Sequence, residues 1–112
     1  MRRTFHLVAE PVWKALDPSA PYRHPSLEAE GFIHCTDGAE AMRDTANRHF
    51  RDDPRRFVVL TVDLDAAGSP WRIDAPGTPY PHVYGPIDRG AILEIRPMPR
   101  GGDGAFEAPT DG

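Results

Sequence analysis

Arg56-Phe57-Val58-Val59-Leu60-Thr61-Val62-Asp63-Leu64 is the most strand-like stretch of the chain. It is rich in β-branched residues and apolar at consecutive positions. Both its faces are therefore expected to be buried, which places it in the middle of a sheet. The elements around it are short. On the upstream side, Asp52-Asp53-Pro54 stops a helix in which Ala39, Met42, Ala46, His49 and Phe50 form one face at helical spacing, with Thr36 or Asp37 able to cap it. Gly31 to Thr36 and Thr4 to Ala9 read as strands. In the second of these, Phe5, Leu7 and Ala9 share one face, and Thr4, His6 and Val8 share the other. Glu10 to Leu16 reads as a two-turn helix with Pro11 in its first turn, where the missing N–H costs little. Asp17 to Pro25 reads as loop, and Ser26 to Glu30 as at most one helical turn.

Downstream of the central stretch, Trp71 to Asp74 is expected to be a short peripheral strand and Ala91 to Arg96 the last strand. Between them, the proline-rich segment from Ala75 to Pro86 reads as a long irregular connection, a kind of loop that often carries function. The succession of strand, helix, strand, helix and then strands predicts an α+β class. It implies one small domain over residues 1–97, with a mixed or mostly antiparallel sheet and two or three short helices. Residues 98–112 are expected to form a flexible, glycine-rich tail.

Composition narrows the function. The chain has 112 residues, 39% of them hydrophobic and 27% charged, which suits one globular domain. No apolar run approaches the roughly 20 residues of a membrane span, and there is no secretory-type apolar segment, so a cytoplasmic location is expected. The single cysteine, Cys35, excludes an intrachain disulfide. A formal net charge of −4 makes duplex nucleic acid a poor partner. The positive charge is almost all arginine, a side chain suited to phosphate or carboxylate, although arginines on a solvated surface need no such role.

Unusual residues concentrate at His6, at Gly31-Phe32-Ile33-His34-Cys35-Thr36 and at Pro81-His82-Val83-Tyr84-Gly85-Pro86. On an extended strand His34 projects away from Cys35 and shares its face with Phe32 and Thr36. If the first two strands lie close, His6 and His34 converge on one cleft. His82 is expected in a loop stiffened by Pro79, Pro81 and Pro86. Plainer roles exist for each group. A strand histidine often serves only to bond a backbone carbonyl, His49 at a helix end complements the dipole, His24 beside Pro25 suits a surface loop, and Tyr80 and Tyr84 can simply pack. His6, His34 and His82 could also supply three zinc ligands, but no closely spaced ligand pair nucleates such a site. Cys35 as a nucleophile lacks an adjacent base. No phosphate-binding glycine loop or Gly-x-Ser-x-Gly motif is present.

The blocks Phe5-His6-Leu7, Trp13, Ser26-Leu27, Glu30 to Thr36, Ala46-Asn47-Arg48-His49-Phe50, Val59-Leu60, Asp63 and Pro81 to Ile87 resemble the domain of unknown function 952 family over roughly residues 4 to 97. Members of that family are similar in turn to the ADP-ribosyltransferase fold, which clasps NAD between two small sheets. The resemblance implies a pocket for NAD or a related nucleotide. His6 would meet a ribose hydroxyl, His34 would lie near the nicotinamide, and His82 would complete a catalytic set. Phe32, Thr36, Arg48 and Tyr84 would bind ligand. It also implies a small-molecule or nucleotide partner, a monomer, no membrane, and, if the protein is an enzyme, transferase, glycohydrolase or RNA 2′-phosphotransferase-like chemistry. The usual catalytic acid has no obvious equivalent, Glu94 being the nearest candidate. Arg43, Arg48 or Arg72 could hold a phosphate in its place. The remaining alternatives are a non-catalytic nucleotide or metabolite module and a histidine metal site.

Overall fold

A computed structural model describes residues 1–110. It contains six strands and three α-helices arranged as two separate three-stranded antiparallel sheets, so the class is α+β. The first sheet has the order β1 (Arg3–Ala9), β3 (Phe57–Asp63), β6 (Ile92–Pro97), with the Arg56–Leu64 stretch central as its apolar faces require. The second has the order β2 (Ile33–His34), β5 (Pro81–Val83), β4 (Trp71–Ile73). Helices α1 (Glu10–Ala15), α2 (Ser26–Glu30) and α3 (Ala39–Phe50) complete the set.

Period-two alternation in β1 and β3 divides the core in two. Phe5, Ala9, Phe57 and Val59 pack against Met42 and Ala46 of α3. Val8, Val58, Leu60 and Val62 turn the other way and meet Ile33, Cys35 and Val83 from the second sheet, together with Tyr22 and Ile87. The face of β1 carrying Thr4, His6 and Val8 is therefore as buried as its opposite, and His6 is only 2% exposed.

Three expectations require correction. His82 is not in an irregular loop but in β5, the central strand of the second sheet. Its prolines read as strand breakers, yet Pro81 occupies the first strand position, where its missing N–H is tolerated, and its carbonyl accepts from Cys35 N at 2.9 Å. Next, Gly38 stands at the cap position before α3 and no side chain caps the helix, Asp37 being taken by a two-pronged contact with Arg2 at 2.6 and 3.0 Å. Finally, residues 98–110 are not a loose tail. Met98 and Phe106 are buried against α3 and Phe57. Asn47 and the Phe106 backbone exchange hydrogen bonds of 2.7 and 3.1 Å, and the Arg100 guanidinium donates to the carbonyls of Phe50, Arg51, Asp53 and Arg55. The glycines there supply turns between anchored residues rather than freedom. The rest of the expected tail, residues 111–112, lies outside the described residues.

One backbone bridge joins the β1 strand to the segment that continues β2. Phe5 and Thr36 exchange backbone hydrogen bonds of 2.9 and 2.7 Å in an isolated antiparallel bridge. Past that bridge β1 follows β3 while the Gly31–Cys35 segment follows β5, so the outer edge of β1 opens into a cleft beneath α3.

Candidate functional site

The cleft has a volume of about 550 Å³, within the range typical of small-molecule sites. The edge of β1 supplies its floor through His6 and Leu7, α3 one wall through Met42, Thr45, Arg48, His49 and Phe50, and the second sheet the other through His34, Tyr80 and His82. His24, Ser26 and Glu30 close one side. All five histidines of the chain line this one cavity.

Each histidine is held differently. His6 lies under the floor. Its Nδ1 is 2.6 Å from the His34 carbonyl oxygen, which can only accept, so Nδ1 carries the proton and Nε2 accepts from the Tyr22 hydroxyl at 2.7 Å. Burial, with smaller contributions from His24 and His34, pushes its pKa down to about 3, so His6 is neutral at ordinary pH. Desolvation raises Tyr22 in the same way and keeps its hydroxyl a donor. His24 stands with its ring edge-on to His6, 5.0 Å between centroids, and its Nδ1 accepts from Ser26 N at 3.0 Å. Burial and then His34 hold its pKa below the usual value. The Ser26 hydroxyl in turn donates to the Phe32 carbonyl, tying α2 to the start of β2. Between those elements Gly31 has φ +88°, the left-handed turn that brings His34 back over α2 and within 2.8 Å of Glu30 through Nε2.

His34 and His82 are directly opposite in the β2–β5 pairing, and Arg72 of β4 is opposite His82 on the other side. These three side chains therefore form a row across one face of the second sheet, with Ile33, Cys35 and Val83 on its buried face. The Cys35 thiol is pushed up to about 12 by burial, which leaves it unsuited as a nucleophile. Phe32 stacks on His82 with centroids 4.0 Å apart and planes 13° from parallel, and the His34 and His82 rings meet edge to face at 5.5 Å. His82 Nδ1 donates to Asp74 Oδ2 at 2.8 Å. The same carboxylate accepts from the Tyr84 hydroxyl through Oδ2 and from Arg72 Nε at 2.7 Å through Oδ1. Tyr84 first, then His82 and Arg72, draw the Asp74 carboxyl down to about 2, so it stays ionised.

Arg48 sits at the mouth, both of its terminal nitrogens 3.4 Å from the Tyr80 hydroxyl, and it makes no ion pair among the described residues. Its hydrogen bond to the phenol oxygen is the main cause that holds Tyr80 below its ordinary value. The other two candidate arginines are already neutralised, Arg43 by Glu40 and Asp44 and Arg72 by Asp74.

Of the residues expected from sequence, His6, His34, His82, Thr36 and Arg48 line the cleft, while Phe32 and Tyr84 flank His82. Thr36 is buried and contributes mainly through its backbone bridge to Phe5. Glu94 faces elsewhere: it pairs with Arg96 and lines a separate hollow beside Arg3 and Thr61. Sequence reasoning missed the two carboxylates that meet the histidines, Glu30 and Asp74, and left His24 on a surface loop; His49 stands in the last turn of α3, as its spacing implies, and borders the cleft from there. The four-residue spacing of Glu30 and His34 was a usable signal. Asp74 was not reachable without the β4–β5 register. Among the described residues no three His, Cys, Asp or Glu side chains converge as a metal centre requires, and no helix is long and apolar enough to cross a membrane.

Comparison with known proteins places this architecture. The family described as "protein of unknown function (DUF952)" matches residues 7–95. The chain belongs to the DUF952 family. The DUF952 fold seen here is similar to the crystal structure of protein CC0527 from Caulobacter crescentus. That match has a TM-score of 0.75 and 22% identity, covering 94% of this chain and 93% of that one. The solution NMR structure of CC0527 gives a TM-score of 0.69 at 22% identity, covering 93% and 90% respectively. This similarity establishes the shared fold. No curated protein matches the chain.

Proposed function

We propose that this DUF952 domain binds NAD or a related ADP-ribose nucleotide in the histidine-lined cleft and acts on its nicotinamide–ribose bond, as a glycohydrolase or transferase. The observation that carries this reading is the convergence of all five histidines, and of Arg48 with no ion pair among the described residues, on one cavity between the two sheets. Imidazoles donate to and accept from ribose hydroxyls near neutral pH, and a guanidinium free of carboxylates suits a diphosphate. The flat surfaces of Tyr80 and His82 offer places for a heterocycle to stack.

In this reading His34 and His82 meet the ligand, Arg48 and Tyr80 take its anionic part, and His6 acts from below. Both nitrogens of His6 are engaged, so its contribution is to hold the backbone at His34 and the Tyr22 hydroxyl in place rather than to exchange protons. Calorimetric titration with NAD and ADP-ribose, with nicotinamide assayed in the same samples, tests the proposal. Micromolar to millimolar binding that His34→Ala weakens at least tenfold supports it. Equal binding by wild type and His34→Ala removes the ligand from this cleft, and binding without nicotinamide release leaves a sensor in place of an enzyme.

A further inference from the structure

The second sheet carries a feature that neither the family nor the resemblance assigns. We propose that Asp74 is a positioning residue that makes His82 the proton-accepting group of the cleft. The carboxylate has two oxygens and three donors. Arg72 Nε occupies Oδ1 at 2.7 Å, while the Tyr84 hydroxyl and His82 Nδ1 share Oδ2. A carboxylate so placed fixes the proton of neutral His82 on Nδ1 and leaves Nε2 as a lone-pair acceptor, with no protein partner among the described residues. Phe32 stacked on the ring and the Arg72 guanidinium 4.2 Å from the Tyr84 ring hold the arrangement from both sides. His34 differs, because its partner Glu30 takes Nε2, the outer nitrogen. Two neighbouring imidazoles are thus presented in opposite ways, and of the two it is His82 that keeps Nε2 available to a bound molecule.

Catalytic use of the pair rests on the nucleotide reading above; the geometry of the pair does not. A water held at His82 Nε2 gives its proton to that nitrogen as its oxygen forms the bond to ribose C1′. The C1′–N bond breaks, and its electron pair departs with nicotinamide as a neutral leaving group. Asp74 stabilises the resulting imidazolium, which then returns the proton to solvent.

The test uses ¹⁵N-labelled full-length protein and long-range ¹H–¹⁵N correlation of the His82 ring at a pH where it is neutral. Wild type is expected to show the Nδ1–H form, Tyr84→Phe to keep it, and Asp74→Asn to lose it while retaining the wild-type backbone spectrum. An Nε2–H form in wild type, or an unchanged tautomer in Asp74→Asn, overturns the proposal. With NAD, Asp74→Asn is expected to keep binding but slow nicotinamide release by about 100-fold; unchanged release with binding intact also overturns it. A wild-type protein that neither binds NAD nor releases nicotinamide defeats the nucleotide reading alone, and the tautomer measurement still decides the role of Asp74.

Discussion

His6 Nδ1 donates to the carbonyl oxygen of His34 across 2.6 Å, so the buried histidine of one sheet fastens the backbone of the other at the point where the two separate. Removing that ring leaves the His34 carbonyl and the Tyr22 hydroxyl without their partner in a buried setting. His6→Ala is expected to lose about 3 kcal/mol of stability, from two unsatisfied groups and a cavity. Denaturant unfolding measures the loss.

The same ring makes the fold acid-sensitive. The native state keeps His6 neutral down to about 3, whereas an unfolded chain protonates it near 6.5, so only the unfolded state gains the proton. Stability from this group is complete above pH 6.5 and is lost as the pH falls towards 3, at about 1.4 kcal/mol per pH unit. His24, also shifted downward by burial, adds to the slope in the same direction. Unfolding free energies from pH 7 to 4 are expected to fall steeply in wild type and more gently in His6→Asn.

Arg48 is exposed and bound only loosely to Tyr80, so its replacement affects ligand rather than fold. Arg48→Ala is expected to weaken ADP-ribose binding about tenfold, with stability changed by less than about 0.5 kcal/mol. Arg48→Lys recovers part of the affinity because charge is kept and the planar fork is lost.

Gly31 adopts φ +88° with open space around the missing side chain, so the penalty of a substitution there is purely conformational. Gly31→Ala is expected to cost about 1 to 2 kcal/mol. Because that turn carries Phe32 and His34, nucleotide binding should weaken as well, which thermal unfolding and titration would measure together.

Phe106 is 3% exposed and packs edge-to-face against Phe57. Phe106→Ala is expected to cost about 3 kcal/mol. Deletion after Pro97 should cost more, because Arg100 and its carbonyl partners are lost too. Chemical denaturation of both variants measures this, and a truncated protein as stable as wild type would contradict the packing.

The class of the fold was legible because β1, β3 and α3 announce themselves by period and composition. Phe57 to Asp63 is apolar on both faces and is central, and Met42 and Ala46 fall where helical spacing puts them. The second sheet was only half legible. Its strands are two or three residues long, too short for a periodic signal, and Pro81 disguises the central one. The C-terminal segment misled because glycine content reads as looseness, while its anchors, Arg100 and Phe106, are single residues that reach the body of the fold through partners more than forty positions away. At the site, His6, His34 and His82 stood out as residue types, but Asp74 joins them only through the register of β4 on β5.

The most direct measurement is a histidine-resolved NMR titration of the full chain with NAD, ADP-ribose and nicotinamide. All five histidines line the cleft, so NAD is expected to shift His34 and His82 most, His24 and His49 less, and His6 least, with its buried ring only indirectly affected. Arg48→Ala should lose the response to ADP-ribose before the response to nicotinamide. No histidine shift at millimolar NAD or ADP-ribose would contradict the nucleotide assignment.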